Sequence, residues 1–257
     1  MSISTKSVSA WTTKEVAALV ASDLATLTTL QLDGLTTQNV GALSVSVLAA
    51  MSSNQVAALG VDARALSATA LAALTSANAA GLATSAVQSL SSVQVAALGY
   101  DARGLSDAAL TALTTQNISG LTTGAVAAMN SRQVAALGSD ARALTSVSLA
   151  VLTSVNIAGL NTGAIYAMDS KQVAALGKLP TSLDTNQLAA LTTQNITGLT
   201  SAALASLSSD QVTALGMDAR AFSAAQISAL TTTNINGLAT ARSEEHTSEL
   251  QSPMFIS

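Results

Sequence analysis

The string Gln-Val-Ala-Ala-Leu-Gly returns at a fixed interval, and this repetition constrains the fold more than any other feature of the chain. The string begins at Gln55, Gln94, Gln133 and Gln172, and a variant with Thr at its third place begins at Gln211, which gives a constant 39-residue period. A fixed period of this length is typical of repeat architectures in which each unit packs on its neighbours. The period therefore predicts a stacked repeat fold.

Each 39-residue unit contains a finer pattern of apolar pairs. Their two members are three residues apart, and successive pairs begin eight residues apart, for example Leu71/Leu74, Val87/Leu90 and Val95/Leu98. The i, i+3 spacing places both side chains on one face of a helix, whereas a strand would send them to opposite faces. A continuous helix is excluded because its apolar stripe would rotate by roughly 80° with every octad. The pattern therefore predicts a string of short helices.

The residue four places before each first apolar residue supports this interpretation. It is Ser, Thr, Asn or Asp almost everywhere, with Val20 and Ala83 as the exceptions, and these residue types cap helix N-termini. In several octads Gln or Glu follows three residues later, which is the spacing of a capping box. These pairs are Thr12/Glu15, Ser52/Gln55, Ser91/Gln94, Asn130/Gln133, Asp169/Gln172 and Ser208/Gln211. We therefore expect capped, two-turn helices of about seven residues.

Helices this short are marginal in isolation, so each must pack against others. The period leads us to expect that residue i packs near residue i + 39. The predicted fold is all-α, an α-solenoid of short two-turn capped helices with about six coils. Each 39-residue coil consists of four octads and a seven-residue corner with the motif G-x-D-A-R. A β-solenoid is the alternative.

Three segments are predicted along the chain. Residues 1–11 form a frayed N-terminal lead, residues 12–241 form a single repeat solenoid, and residues 242–257 are set aside as a non-native tail. Within that tail the text RSEEHTSELQS resembles a translated sequencing adapter. In the first coil, residues 20–27 are either an additional octad or a degenerate corner that is one residue longer than the later ones.

The corner motif supplies the first set of candidate residues. Its glycine suits the left-handed conformation after a helix, and its Asp and Arg are predicted to stack in an alternating ion-pair ladder. A row of Asp that binds Ca²⁺ is the alternative. The ladder residues are Asp62, Arg64, Asp101, Arg103, Asp140, Arg142, Asp218 and Arg220. The corner at residues 177–184 lacks Asp and Arg at the matching places and predicts a break.

A row of asparagines with the 39-residue period supplies the second set. Each precedes the first apolar residue of its octad, and we expect the stacked amides to form hydrogen bonds with neighbouring coils. Contact with a ligand is the alternative. The row consists of Asn39, Asn78, Asn117, Asn156, Asn195 and Asn234.

The composition excludes most site chemistry. The chain has no Cys, its single His is His246 in the tail, and no phosphate-binding glycine motif occurs, so we predict no enzyme and no catalytic, cofactor or metal site. The formal charge of −4 argues against nucleic acid as a partner. The apolar runs are shorter than the ~18 residues that a membrane span needs, so membrane insertion is not expected.

The blocks LTTQNISGLTTGAVAAMNSRQVAALG and LTTQNITGLTSAALASLSSDQVTALG resemble the repeat tracts of large bacterial surface or secreted adhesin-like proteins, some labelled haem-utilisation or adhesion proteins. The resemblance implies a stalk or spacer that is extracellular or on the cell surface. Its partners would be a protein or glycan ligand, or other copies through the solenoid ends. A cytoplasmic α-solenoid scaffold for protein partners is the alternative, and a nucleic-acid-reading repeat is disfavoured by the acidic charge.

Overall fold

The computed structural model describes residues 11–238. The chain divides between Leu144 and Thr145 into two compact units, unit 1 (1–144) and unit 2 (145–257), which are described separately. All regular secondary structure among the described residues is helical, so the predicted all-α solenoid-like repeat is confirmed. The single domain over residues 12–241 stays a prediction, and the tail at 242–257 lies outside the described residues.

The α-helices have four to six residues and are interspersed with short 3-10 helices. The α-helices of unit 1 are α1 (Thr13–Ala17), α2 (Thr29–Leu32), α3 (Val45–Ala50), α4 (Ser53–Ala58), α5 (Ala68–Leu71), α6 (Ser76–Ala79), α7 (Thr84–Ser89), α8 (Ser92–Ala97), α9 (Asp107–Thr111), α10 (Thr123–Ala128) and α11 (Ser131–Ala136). Its 3-10 helices are Ala21–Ala25, Val40–Ala42, Gly60–Ala65, Gly99–Gly104, Ile118–Gly120 and Gly138–Ala143.

Unit 2 contains the same two kinds of short helix. Its α-helices are α12 (Ser146–Leu149), α13 (Thr162–Ala167), α14 (Ser170–Ala175), α15 (Thr185–Ala189), α16 (Ser201–Leu204), α17 (Ser209–Ala214) and α18 (Ala224–Ser228). Its 3-10 helices are Ile157–Gly159, Leu179–Ser182, Ile196–Gly198 and Gly216–Ala221. All of these α-helices are shorter than the seven residues or so expected from the sequence.

Helix starts follow the predicted caps. The Ser91 hydroxyl accepts a hydrogen bond from the N–H of Gln94 at 3.2 Å, and Oε1 of Gln94 accepts one from the N–H of Ser91 at 2.9 Å. The six predicted capping boxes are all present. Val20 and Ala83, the predicted exceptions, have no side chain that could cap.

Each corner begins with a left-handed glycine and continues as a 3-10 helix. Gly60, Gly99, Gly138, Gly177 and Gly216 have φ between +53° and +59°, a region that residues with a Cβ rarely adopt. The helix at Ala21–Ala25 takes the place of these corner helices in the first repeat, which shows that residues 20–27 are a degenerate corner.

Each repeat therefore consists of a corner followed by four octads. We number the octads first to fourth in chain order after the corner. In the repeat that begins at Gly60 they are 67–74, 75–82, 83–90 and 91–98. The first apolar residue of each octad is its anchor, at the fifth place. Anchors in successive octads, such as Leu110, Ile118, Val126 and Val134, are fully or almost fully buried. The second apolar residue, at the eighth place, is buried as well throughout most of both units. These pairs form the core that the sequence predicts.

One lap is one full turn of the chain around the solenoid, which the prediction equates with a 39-residue coil. The contacts between successive laps differ from this prediction. The extensive contacts between elements that are not chain neighbours join elements three apart, for example α5 with α8 and α7 with α9. Hydrogen bonds between side chains and main chain join elements four apart, over 27 to 31 residues. One lap therefore contains between three and four elements, and the expectation that residue i packs on residue i + 39 is wrong.

A lap is shorter than the 39-residue period because the five elements in each repeat resemble one another. All have seven or eight residues, and almost all bury two apolar side chains, so we infer a similar turn of the chain at each element. A lap is complete when the chain has turned through a full circle. The sequence period is complete only when the next corner motif begins. The 39-residue unit is a period of residue identity and is longer than one lap.

Trp11 differs from the frayed lead predicted for residues 1–11. Its side chain is buried, and its carbonyl oxygen accepts a hydrogen bond from the Asn39 side chain at 3.0 Å. The expected fraying of residues 1–10 lies outside the described residues.

Candidate functional site

The asparagine row forms amide bridges between laps. Oδ1 of Asn117 accepts a hydrogen bond from the N–H of Thr114 at 2.8 Å, which satisfies the first donor of its own octad. Nδ2 of Asn117 donates to the carbonyl oxygens of Val87 and Leu90, at 3.0 and 2.9 Å, in the third octad of the preceding repeat. One buried side chain thus starts an element and attaches it to the lap before.

The other asparagines of the row are also buried, and each accepts from the N–H at the start of its own octad. Asn78, Asn195 and Asn234 donate to two third-octad carbonyls at positions equivalent to those bound by Asn117. The row is therefore a set of bridges between unlike elements, and within a unit its members are separated by more than one lap.

The glutamines form bridges of the same kind, which were not predicted from the sequence. Nε2 of Gln94 donates to the carbonyl oxygens of Arg64 and Leu66, both at 2.9 Å, while its Oε1 completes the capping box. Gln187 and Gln226, in first octads, reach carbonyls of second octads. The available signal was the place of these glutamines, the fourth in the octad, which is also that of the Asn row.

Glycines near the ends of second octads allow the laps to approach closely. A Cβ on Gly120 would overlap the carbonyl oxygen of Ser92, and one on Gly198 would overlap that of Ser170. The two pairs have the same separation along the chain, and it agrees with the span of the amide bridges. Close main-chain packing and buried amides therefore hold consecutive laps at the same places.

The corner side chains in unit 1 contact the preceding lap. Oδ1 of Asp101 accepts a hydrogen bond from the N–H of Ser76 at 2.6 Å. The Arg103 guanidinium lies 4.3 Å from the centre of the Tyr100 ring and 3.4 Å from the Ser76 hydroxyl, while its buried Nε has no hydrogen-bond partner. Ser76 belongs to a second octad, so these contacts do not connect one corner with another.

The structure does not bring the predicted ion-pair ladder together in unit 1, because its corners recur with the 39-residue period and a lap is shorter. The Asp side chains of all four motifs are half-buried; Arg64, Arg142 and Arg220 are exposed and Arg103 is half-buried. An ion pair in unit 1 joins Arg132 and Asp107, outside the motif, at 2.5 Å. In the corner without the motif, Pro180 is buried at the place of Ala63.

The described residues offer little reactive chemistry. They contain no group of three or more His, Cys, Asp or Glu side chains that could hold a metal ion. An open groove in unit 2 is lined by Ser170, Lys171, Thr200, Ser201 and Gln226 among others, and the Gln226 amide is already bound to main-chain carbonyls. No helix among the described residues has the length and apolarity to cross a membrane.

A family model matches part of the chain. Residues 181–217 match the ALTTAQ repeat. This segment spans the first to fourth octads of one repeat, from 184 to 215, and so corresponds to one copy of the period seen throughout the chain. No curated protein matches the chain. The match supports a repeat tract.

Proposed function

We propose that the chain is a non-catalytic structural repeat region, a stalk or spacer, of a larger bacterial surface or secreted adhesin-like protein. The observation that carries this proposal is the use of the recurring amides: the Asn and Gln side chains at the fourth place of the octads bind main-chain carbonyls of the preceding lap. Buried polar groups that are satisfied in this way define a structure and offer nothing to a substrate.

The exposed positions support a spacer. They are occupied mostly by Ser, Thr and Ala, and the large exposed side chains, such as Val93, Tyr100 and Tyr166, are distributed singly along the repeats. Binding surfaces for protein partners concentrate aromatic and Arg side chains at their centres. Exposed Tyr100 with Arg103 above its ring is the observation that favours the alternative, a scaffold for protein partners inside the cell.

Surface labelling distinguishes the two functions. Antibodies raised against residues 11–238 should label intact cells of the bacterium that makes the protein, and external protease should remove the label. A cytoplasmic protein of the same cells, followed in parallel, is the control for leakage. Labelling that requires permeabilised cells would contradict the surface stalk and favour the scaffold.

A further inference from the structure

Two asparagines of the bridging row stand in an acceptor sequence for N-linked glycosylation. Asn117 begins the sequence Asn-Ile-Ser and Asn195 begins Asn-Ile-Thr, and both fit the acceptor pattern Asn-X-Ser/Thr with X other than Pro. No other asparagine of the chain has Ser or Thr two residues after it. Acceptors of this kind are modified in secreted proteins and normally lie in surface loops.

The structure instead places both asparagines in the core. Asn117 is 2% exposed and Asn195 is 0% exposed. The atom that receives the sugar, Nδ2, is in each case the donor of a bridge between laps. Nδ2 of Asn195 donates to the carbonyl oxygens of Ile165 and Met168, at 2.9 and 3.1 Å, and that of Asn117 forms the equivalent bridge described above. In the folded chain neither Nδ2 is accessible to an enzyme.

Glycosylation would take from the amide a donor that the bridge requires. The anomeric carbon of the sugar forms a bond to Nδ2, and the bond between that carbon and the lipid pyrophosphate of the sugar donor breaks. Nδ2 gives one of its two protons to a base of the transferase. The modified amide keeps one N–H, whereas each bridge donates to two carbonyls. The sugar would also need space at a side chain that has almost no contact with solvent.

The two roles of these amides therefore exclude each other. An asparagine that has closed its bridge is out of reach of a transferase, and one that carries a sugar cannot close the bridge. We propose that Asn117 and Asn195 are acceptors for N-linked glycosylation only in the unfolded chain, and that modification there prevents their laps from packing. The protein is consequently made on a route without a transferase for this sequence, which excludes the eukaryotic secretory pathway. The proposal holds for a surface stalk and for a cytoplasmic scaffold alike.

The test presents the chain to the transferase before it folds. The full chain, preceded by a signal peptide, is translated in vitro with endoplasmic-reticulum microsomes. We expect two glycans, seen as two steps of lower gel mobility that an endoglycosidase removes. After detergent has opened the microsomes, protease should digest the modified chains at least about ten-fold faster than chains translated with an excess of a competing acceptor tripeptide, because cleavage follows the population of opened chain.

Matched variants separate the effect of the bridge from that of any attached sugar. Ser119→Ala combined with Thr197→Ala removes both acceptor sequences and keeps both bridging amides, and since both side chains are exposed, this variant should stay unmodified and resistant to protease. Addition of Arg132→Thr creates the sequence Asn-Ser-Thr at Asn130, an exposed N-cap of α11. That chain should carry one glycan and remain as resistant as the unmodified variant.

Three results would overturn the proposal. If Asn130 in the variant is modified but Asn117 and Asn195 in the wild-type chain are not, the two asparagines are not acceptors even before folding. Modified wild-type chains that resist protease as well as unmodified ones would show that the laps pack with a sugar at the bridge. Equal sensitivity of the chain modified at Asn130 would show that the loss of resistance has no connection with the bridges.

The protein from the cells that make it gives an independent measurement. Mass spectrometry of peptides that contain Asn117 and Asn195 should find both amides unmodified. A sugar on either asparagine in folded protein would contradict both the exclusion between modification and bridge and the inferred route of synthesis.

Discussion

Asn117 donates a hydrogen bond of 2.9 Å to the carbonyl oxygen of Leu90, in the lap before its own. The same side chain accepts the N–H of Thr114 at the start of its own octad. Local helix initiation and contact between laps therefore depend on one amide, which links secondary structure to tertiary structure in every octad whose Asn or Gln forms such a bridge.

Loss of the Asn117 bridge should destabilise unit 1. Asn117→Ala leaves the N–H of Thr114 and the carbonyls of Val87 and Leu90 without this partner in a buried place, so we expect the free energy of unfolding to fall by about 2–3 kcal/mol. Asn117→Asp should cost at least as much, because the carboxylate keeps an acceptor and loses the donor. Urea unfolding followed by circular dichroism measures both.

The neighbouring Gln116 provides the control for this prediction. Its side chain is exposed, and Gln116→Ala should change the free energy of unfolding by less than about 0.5 kcal/mol. Equal losses for the two alanine variants would mean that the amide bridge contributes nothing beyond ordinary side-chain contacts.

Much of the fold is predictable from the sequence because the relevant interactions are local. The caps, the apolar pairs and the left-handed glycines act within a single octad or corner, and the predicted capping boxes and the positive φ of Gly60 and its equivalents are all found. Local hydrogen bonding and backbone sterics specify these features.

The lap could not be predicted because it depends on the angle between successive elements. That angle results from side-chain volumes and close main-chain approaches such as Gly120 with Ser92, which one sequence does not reveal. The identity period suggested contacts between equal residues, and the structure instead pairs unlike ones, a corner with a second octad or Gln94 with Arg64. The corner ladder depended on that period and is not assembled in unit 1.

Gly120 and Gly124 should respond in opposite directions to replacement by alanine. Gly120→Ala places a Cβ against the carbonyl of Ser92, so we expect a loss of about 2 kcal/mol or more in unfolding free energy. Gly124 lies exposed in α10, where a Cβ would have ordinary contact with the Tyr100 ring at 3.5 Å, and Gly124→Ala should stabilise by up to about 1 kcal/mol. Thermal unfolding of both variants is the measurement, and a stabilising Gly120→Ala would contradict close packing of the laps.

The ion pair between Arg132 and Asp107 should contribute little. The Arg132 side chain is 85% exposed and that of Asp107 is 38% exposed, so water and salt screen the attraction. Arg132→Ala should therefore lower the unfolding free energy by less than about 1 kcal/mol, and the difference from wild type should shrink further at about 1 M salt. A larger, salt-independent loss would show that Arg132 acts through packing.

Deletions distinguish the identity period from the lap. Removal of residues 67–105 takes out one complete period, so each remaining element again meets a partner of the usual type, for example Gln133 with the carbonyl of Arg64. The melting temperature should then change by only a few degrees. Removal of the single octad 83–90 deletes the carbonyl partners of Asn117 and changes the separation of Gln94 from its own carbonyl partners. A loss of about 3 kcal/mol or more should lower the melting temperature by roughly 10 °C. Scanning calorimetry of both deletion variants measures this difference in melting temperature. Equal melting temperatures would mean that any octad can replace any other and that the identity of contacting elements has no structural role.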